Sequence, residues 1–238
     1  MSDAPVLQPP QGGTLYVVAT PIGHLGDLSP RAAHMLRTCD IVACEDTRVT
    51  RTLMTHVGSQ RPMVASHDYS EEAKASQLVD KLRAGQSIAL VCDAGTPNVS
   101  DPGFRLVRAC RRAGVGVVPV PGPSAALAAL CASGLPTNGF LFGGFLPPKS
   151  AARQKFLTRY KDFEYTIVLY ESCHRIEKLA DDIIAVLGPQ RPIAMARELT
   201  KKFETFLIGP AAEVRARLTG DQLRGEFTVV IAPHDFEP

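Results

Sequence analysis

At roughly 100–200 residues per domain, a chain of 238 residues holds one large domain or two small ones. Apolar residues make up 45% and charged residues 21%, the balance of an ordinary soluble protein, and a formal net charge of +2 does not by itself identify a nucleic-acid partner. The opening Met1–Gly13 is polar and proline-rich, so it reads as a flexible arm over residues 1–12 rather than a signal peptide, and Ala125–Leu135 is short of the roughly 20 apolar residues a membrane span requires.

From Gly13 the pattern alternates. Leu15–Ala19 is a strand-like run, and Ser29-Pro30 then reads as the N-cap and first residue of a helix ending near Thr38. Ile41–Cys44 is the next strand, Thr47–His56 a helix and Met63–Ser66 a short strand. Ser70 is placed to cap a helix whose Ala75, Leu78, Val79 and Leu82 recur at the spacing of one buried face. Ile88–Cys92 follows as a strand, then Asp101-Pro102 as a second cap-plus-proline signal for a helix running to Ala113, then the strand Val115–Val120. Strand alternating with helix predicts βαβ crossovers and a mainly parallel sheet.

Beyond Ser124 the order changes. A small-residue helix, Ser124–Ser133, leads to an aromatic and glycine stretch, Phe140–Phe145, and then to a basic helix, Lys149–Lys161. Tyr165–Tyr170 reads as a strand. His174–Leu187 reads as a helix, with Ile176, Leu179, Ala180, Ile183 and Leu187 on one face. Pro192–Ala196, Lys202–Ile208 and Glu226–Ile231 are further strands, with a helix over Pro210–Leu218. The expected architecture is α/β, with a mainly parallel N-terminal sheet over residues 13–121 and a mixed C-terminal sheet over 122–238. The stiff, proline-rich segment Pro119–Ser124 marks the boundary.

The chemistry-bearing residues sit where strands end. Thr20-Pro21-Ile22-Gly23 follows the first strand but lacks the lysine of a phosphate-binding P-loop. Glu45-Asp46-Thr47-Arg48 ends the second strand and reads either as a proton-transfer and ligand-positioning set or as a capped helix start with a surface ion pair. His67-Asp68 ends the third in the same manner. Asp93-Ala94-Gly95-Thr96-Pro97 is sharper, because glycine beside an acid at a strand end lets a ligand approach the backbone. Ser124 and Ala125 open a helix whose free N–H groups suit a carboxylate, so an amino-acid-like ligand fits. Glu171-Ser172-Cys173-His174-Arg175 and Ala196-Arg197-Glu198-Leu199-Thr200-Lys201 complete the set. In an open α/β sheet, ligands bind beyond the carboxyl ends of the strands, so these loops together predict a small-molecule pocket.

Basic residues recur at helical spacing: Arg105, Arg108 and Arg112 in one helix, and Lys149, Arg153, Lys155, Arg159 and Lys161 in another. They are solvated faces or, with an RNA substrate, phosphate contacts. The six cysteines (Cys39, Cys44, Cys92, Cys110, Cys131 and Cys173) contain no C-x-x-C pair and lie mostly in apolar runs, which argues against a disulfide scaffold or structural metal.

The runs from Leu15-Tyr16-Val17-Val18-Ala19-Thr20-Pro21-Ile22-Gly23 through Glu45-Asp46-Thr47-Arg48, Asp93-Ala94-Gly95-Thr96-Pro97, Asp101-Pro102-Gly103, Pro121-Gly122-Pro123-Ser124-Ala125, Gly144-Phe145-Leu146-Pro147, Tyr170-Glu171-Ser172 and His174-Arg175 to Ala196-Arg197-Glu198-Leu199-Thr200-Lys201 resemble the tetrapyrrole methylase superfamily. The resemblance covers about Gly13–Ile231. Within that superfamily it is to the branch that methylates a ribose 2′-oxygen of a cytidine in small-subunit (16S) ribosomal RNA. His24 stands where asparagine is usual, and Cys173 where proline or threonine is common.

With neither a signal-peptide pattern nor a span-length apolar run, the chain reads as cytoplasmic, and the resemblance implies a homodimer that binds S-adenosyl-L-methionine in a cleft between two domains, with small-subunit RNA or the assembled small subunit as substrate. Carried over by position, the donor contacts are Pro21, Gly23, Asp93, Ala94, Gly95, Thr96, Pro97, Ser124, Ala125, Tyr170, Glu198 and Leu199. A ribose hydroxyl is a weak nucleophile that benefits from a general base. Glu45, Asp46 and Glu171 are the candidates, with Arg48, His174 and Arg175 positioning the nucleotide. Two rival readings share the pocket: a tetrapyrrole C-methyltransferase, and a non-catalytic module that binds the methyl donor.

Overall fold

The computed structural model describes residues 7–65 and 71–237 and divides the chain into two compact units, residues 1–124 and 125–238. In the first unit β1 (Thr14–Val18), β2 (Ile41–Cys44), β3 (Met63–Ala65), β4 (Ile88–Leu90) and β5 (Gly116–Val120) form one sheet in the order β3-β2-β4-β1-β5, with every pairing parallel. Because side chains alternate across a strand, the sheet has two apolar faces and needs a helical layer on each. Tyr16, Val18, Val42 and Cys44 pack under α1 (Pro30–Thr38) and α2 (Thr47–His56). Leu15, Ile41, Ala43 and Ile88 pack under α3 (Glu71–Arg83) and α4 (Phe104–Arg112).

Local signals start these helices as read. Ser29 accepts the N–H of Ala32 ahead of Pro30, and Asp46 accepts the N–H of Arg48. The helix face of Ala75, Leu78, Val79 and Leu82 is buried. Ser70, expected as its cap, and His67-Asp68 lie outside the described residues. The Asp101-Pro102 expectation is overturned. α4 begins at Phe104, and its N-cap is Gly103 at φ 124° with no side-chain cap. Asp101 is half-buried two residues ahead of that N-cap, and no side chain caps the helix. At the N-terminal segment, the Gln11 N–H donates to the Tyr16 hydroxyl at 2.7 Å, and the Gln8 carbonyl accepts from His34 Nε2 at 3.0 Å.

In the second unit β6 (Phe140–Phe145), β7 (Thr166–Ser172), β8 (Pro192–Arg197), β9 (Thr205–Pro210) and β10 (Glu226–Ile231) form a mixed sheet in the order β6-β7-β10-β8-β9. Only β6–β7 is parallel among its pairings. One face is covered by α6 (Ser150–Arg159), α7 (Ile176–Leu187) and α8 (Ala211–Arg217) over Ile167, Leu169, Met195 and Val229. The opposite face carries α5 (Ala125–Ala132), which packs against β7, β8 and β10. Phe140–Phe145, read only as an aromatic and glycine stretch, is an edge strand. Its Gly143 leaves room for Leu169 Cδ2 and the Phe156 ring, 2.7 and 3.0 Å from where a Cβ would stand.

The expectation that α6 is a wholly basic surface fails at Arg153. This guanidinium is 1% exposed and sits on the Asp182 carboxylate of α7 through Nε and Nη2, both at 2.7 Å. Ser150 and Gln154 donate to the same carboxylate at 2.6 and 2.8 Å, so the buried ion pair has partners for its remaining lone pairs. Arg153 therefore ties α6 to α7 and is removed from the set of phosphate contacts.

Candidate active site

A parallel sheet places all its carboxyl ends on one edge, and in the first unit the loops there are bonded to each other. The Thr20 N–H donates to Gly95 O at 2.8 Å and the Gly95 N–H returns to Thr20 O at 3.2 Å, joining the loops after β1 and β4. Thr20 is buried, and its hydroxyl donates to Cys92 O at 3.3 Å. The Thr96 hydroxyl donates to Pro123 O at 3.1 Å, which adds the segment after β5. Asp93 Oδ1 accepts the Asp46 N–H at 3.1 Å, which adds the loop after β2. Gly95 holds φ +87°, a left-handed conformation, so the turn favours glycine there. Four motifs read separately from the sequence thus form one continuous edge.

The charges on this edge have distinct surroundings. Asp46 caps α2 and is held by Arg48, whose Nη2 lies 2.6 Å from Asp46 Oδ2. This is the capped helix start weighed above, except that Arg48 pairs with Asp46. Glu45 is half-buried at the end of β2. Burial pushes the Asp101 carboxyl above its usual range, opposed by the Cys92 thiol and reinforced by Asp93. Burial also pushes up the Cys44 and Cys92 thiols, with Asp101 next in effect at Cys92, so neither is a thiolate nucleophile near neutral pH. All six cysteines are free, and no cluster of metal-ligating groups occurs among the described residues.

The second unit also gathers its motifs on one edge. β10 is antiparallel to both β7 and β8, so the last two run parallel and end together. Glu171 and Ser172 lie inside β7 rather than after it, which corrects the strand end read at Tyr170. Consecutive residues point to opposite faces, so Tyr170 and Glu171 part company. The Tyr170 hydroxyl accepts the Ala126 N–H at 3.1 Å, at the start of α5. Glu171 turns to the apolar face of α6 and α7. There its Oε1 accepts from Arg175 Nε and Nη2, at 2.8 and 2.7 Å, and from the Ser172 N–H at 2.8 Å. Arg175 also donates to Leu146 O at 3.2 Å, while His174 remains exposed.

After β8, Glu198 and Thr200 occupy positive φ, at 52° and 65°, a conformation a non-glycine residue holds only when its surroundings enforce it. Here they do. Glu198 Oε1 accepts from Lys201 Nζ at 2.9 Å and from the Glu226 N–H at 3.0 Å, and Lys201 also pairs with Glu226 at 2.8 Å. Burial opposes ionisation of Glu198, yet the Lys201 and Glu226 hydrogen bonds hold its carboxyl below the usual range. Gly225 is required beside it, because a Cβ would stand 2.5 Å from the Glu198 carboxylate.

A family model described as tetrapyrrole (corrin/porphyrin) methylases matches residues 14–215, which include all of these strand-end motifs. The chain belongs to the tetrapyrrole methylase family. A relative from Xylella fastidiosa (strain Temecula1 / ATCC 700964), "Ribosomal RNA small subunit methyltransferase I", is 51% identical over 92% of this chain and 81% of its own length. The protein of the same name from Escherichia coli O157:H7 is 47% identical over 93% of this chain and 78% of its own. Among solved structures, uroporphyrin-III-C-methyltransferase from Thermus thermophilus superposes with TM-score 0.65 at 22% identity, covering 93% of this chain and 95% of that one. A diphthine synthase superposes at 0.71 with 16% identity, covering 92% and 90%. At such identities these last two show that this methylase shares their α/β fold.

The sequence reading missed two features of the methylase's edges. One is the left-handed backbone at Asn98 and Ser100, φ 73° and 67°, between the Asp93–Pro97 loop and α4. The other is the Arg197 side chain, which is buried and donates to Arg224 O and Phe203 O, pinning the loop after β8. Asn98 carries a weak signal, since asparagine tolerates the left-handed region, whereas Ser100 and Arg197 carry none in their local sequence.

Proposed function

We propose that this methylase transfers a methyl group from S-adenosyl-L-methionine to a ribose 2′-oxygen of a cytidine in small-subunit (16S) ribosomal RNA, acting in the cytoplasm as a homodimer. The observation that carries the reading is the 51% identity, over 92% of the chain, to a relative named for methylating the small-subunit RNA. The ribose and cytidine follow from the motif resemblance set out above. A Thermus thermophilus uroporphyrin-III C-methyltransferase of the same fold, TM-score 0.62, is described as complexed with S-adenosyl homocysteine, which supports the choice of donor.

The residues fit such a donor. Asp93 commits Oδ1 to the Asp46 N–H, while its Oδ2 accepts nothing from the described residues and is available to the hydroxyls of a ribose. The Ala126 N–H is taken by Tyr170, whereas the N–H groups of Ser124 and Ala125 have no partner among the described residues, which suits a carboxylate. We assign donor contacts to Pro21, Gly23, Asp93, Ala94, Gly95, Thr96, Pro97, Ser124, Ala125, Tyr170, Glu198 and Leu199.

The donor supplies an electrophilic methyl on a sulfonium, and the protein must align it with the sugar oxygen and accept a proton. Alignment favours loops that cannot drift, which is what the Thr20–Gly95 and Thr96–Pro123 bonds provide. For the proton, Asp46 is held by Arg48 and Glu171 by Arg175 in a buried pair. Glu45, half-buried at the end of β2 beside the Asp46 that Asp93 holds, is the general base we assign, with Arg48 and His174 positioning the nucleotide and Arg175 holding the loop that carries His174. The test is ribose-methylation mapping of small-subunit RNA incubated with the protein and labelled donor, beside uroporphyrinogen as acceptor. Label on a cytidine 2′-oxygen is expected. Label on uroporphyrinogen alone, or donor binding without transfer to either, overturns the reading.

A further inference from the structure

The α4 helix, Phe-Arg-Leu-Val-Arg-Ala-Cys-Arg-Arg from Phe104 to Arg112, has four arginines and no acid in nine residues. At about 100° per residue, Phe104, Arg105, Arg108, Arg111 and Arg112 fall in one arc of about 120°, opposite Leu106 and Cys110. Burial follows that geometry: Leu106 and Cys110 are in the core, and all five members of the arc are exposed. Two of the arginines have visible local duties. Arg111 donates to Val117 O at 3.2 Å on the edge strand β5, and Arg105 lies 3.9 Å from the exposed Glu72. Arg108 and Arg112 have no ion pair or hydrogen bond among the described residues.

The first residue of the helix adds a second, independent feature. Phe104 is 64% exposed, and it stands where the chain leaves the carboxyl edge of the sheet. Its position is fixed from behind: Gly103, at φ 124°, would bring a Cβ within 2.5 Å of Asn98 Oδ1 and 2.9 Å of Leu90 Cδ2. A large aromatic held out to solvent beside cations is the combination that binds unpaired nucleotides, by stacking on a base and neutralising its phosphates. The other basic helix, α6, has turned Arg153 inward and presents no exposed aromatic.

We propose that the outer face of α4 is the track for the RNA strand, with Arg108 and Arg112 on phosphates and Phe104 stacking on an unpaired base next to the carboxyl edge. The inference rests on the RNA methyltransferase reading and names the surface that reading leaves open.

The test measures binding to small ribosomal subunits and to their naked RNA across a salt series, using the full chain. Replacing Arg108 and Arg112 by Gln should lower the slope of log K against log salt by about 1.4–1.8 and weaken binding about tenfold near 0.15 M salt. Phe104→Ala should weaken binding about tenfold with the slope unchanged, and Phe104→Trp should restore it. All three positions are exposed, and donor uptake by calorimetry, unchanged in each variant, checks the fold. Wild-type slopes in the arginine variant, or equal affinity of Phe104→Ala, overturn the track while wild-type methyl transfer stands. A Phe104→Ala chain of altered mass by sedimentation assigns the residue to a protein interface and also overturns it. Failure of the wild-type chain to methylate RNA defeats the activity reading instead.

Discussion

Asp93 Oδ1 accepts the backbone N–H of Asp46 at 3.1 Å, so the acid that ends one strand fixes the helix start at the end of its neighbour. A carboxylate this placed has two separable duties, as an acceptor and as a charge. Asp93→Asn keeps an oxygen for the Asp46 N–H and should leave the melting temperature nearly unchanged, while donor affinity falls at least tenfold. Asp93→Ala removes the acceptor as well and should cost about 1–3 kcal/mol of stability. Calorimetric unfolding and donor titration of the two variants separate the duties, and equal stability of Asn and Ala variants would contradict the bond.

Glu45 and Glu171 should part in their effects. If Glu45 takes the proton, Glu45→Gln lowers turnover by about 10²–10⁴ with little change in donor affinity. Glu171→Gln should instead show itself in stability, because Arg175 loses the charge of a fully buried partner. Single-turnover methyl transfer and urea unfolding, run side by side, check both.

Asp182 is the anchor of the α6–α7 junction. Asp182→Ala strands a buried guanidinium and should cost about 3–5 kcal/mol. The double replacement Arg153→Met with Asp182→Leu removes both charges and should recover most of that loss. A double variant as unstable as the single one would show that the pair itself, rather than its completion, holds the helices.

Asp101 predicts a pH dependence. Its carboxyl is raised above the usual range in the folded chain by burial, against the Cys92 thiol and with Asp93, so its charged form disfavours the native state. The cost is present above the folded pKa and vanishes as pH falls below the unfolded value. Asp101→Asn should therefore raise the melting temperature at neutral pH, with the gain shrinking on acidification. A gain that grows toward low pH would reverse the assignment.

Much of this was legible locally. Ser29 and Asp46 announced their helices because a cap is satisfied within three residues, and the face of Ile176, Leu179, Ala180, Ile183 and Leu187 announced its burial by spacing alone. Asp101 carried the same cap signal and failed, because the chain turns at Gly103, φ 124°, and starts the helix there. Arg153 carried the same spacing as its lysine neighbours and failed because Asp182 waited on another helix.

The amino-acid order alone determined the family, the alternation of strands and helices and the motifs at strand ends, since each is written in contiguous residues and short-range periodicity. Tertiary structure alone decided which charges remain for chemistry. Glu171 and Arg153 were taken by buried ion pairs, Asp46 was held by Arg48, and Asp93 Oδ2, Arg108 and Arg112 were left without a partner among the described residues. A carboxylate's duty depends on what stands within 3 Å of it, and residues far apart in the chain supply those neighbours.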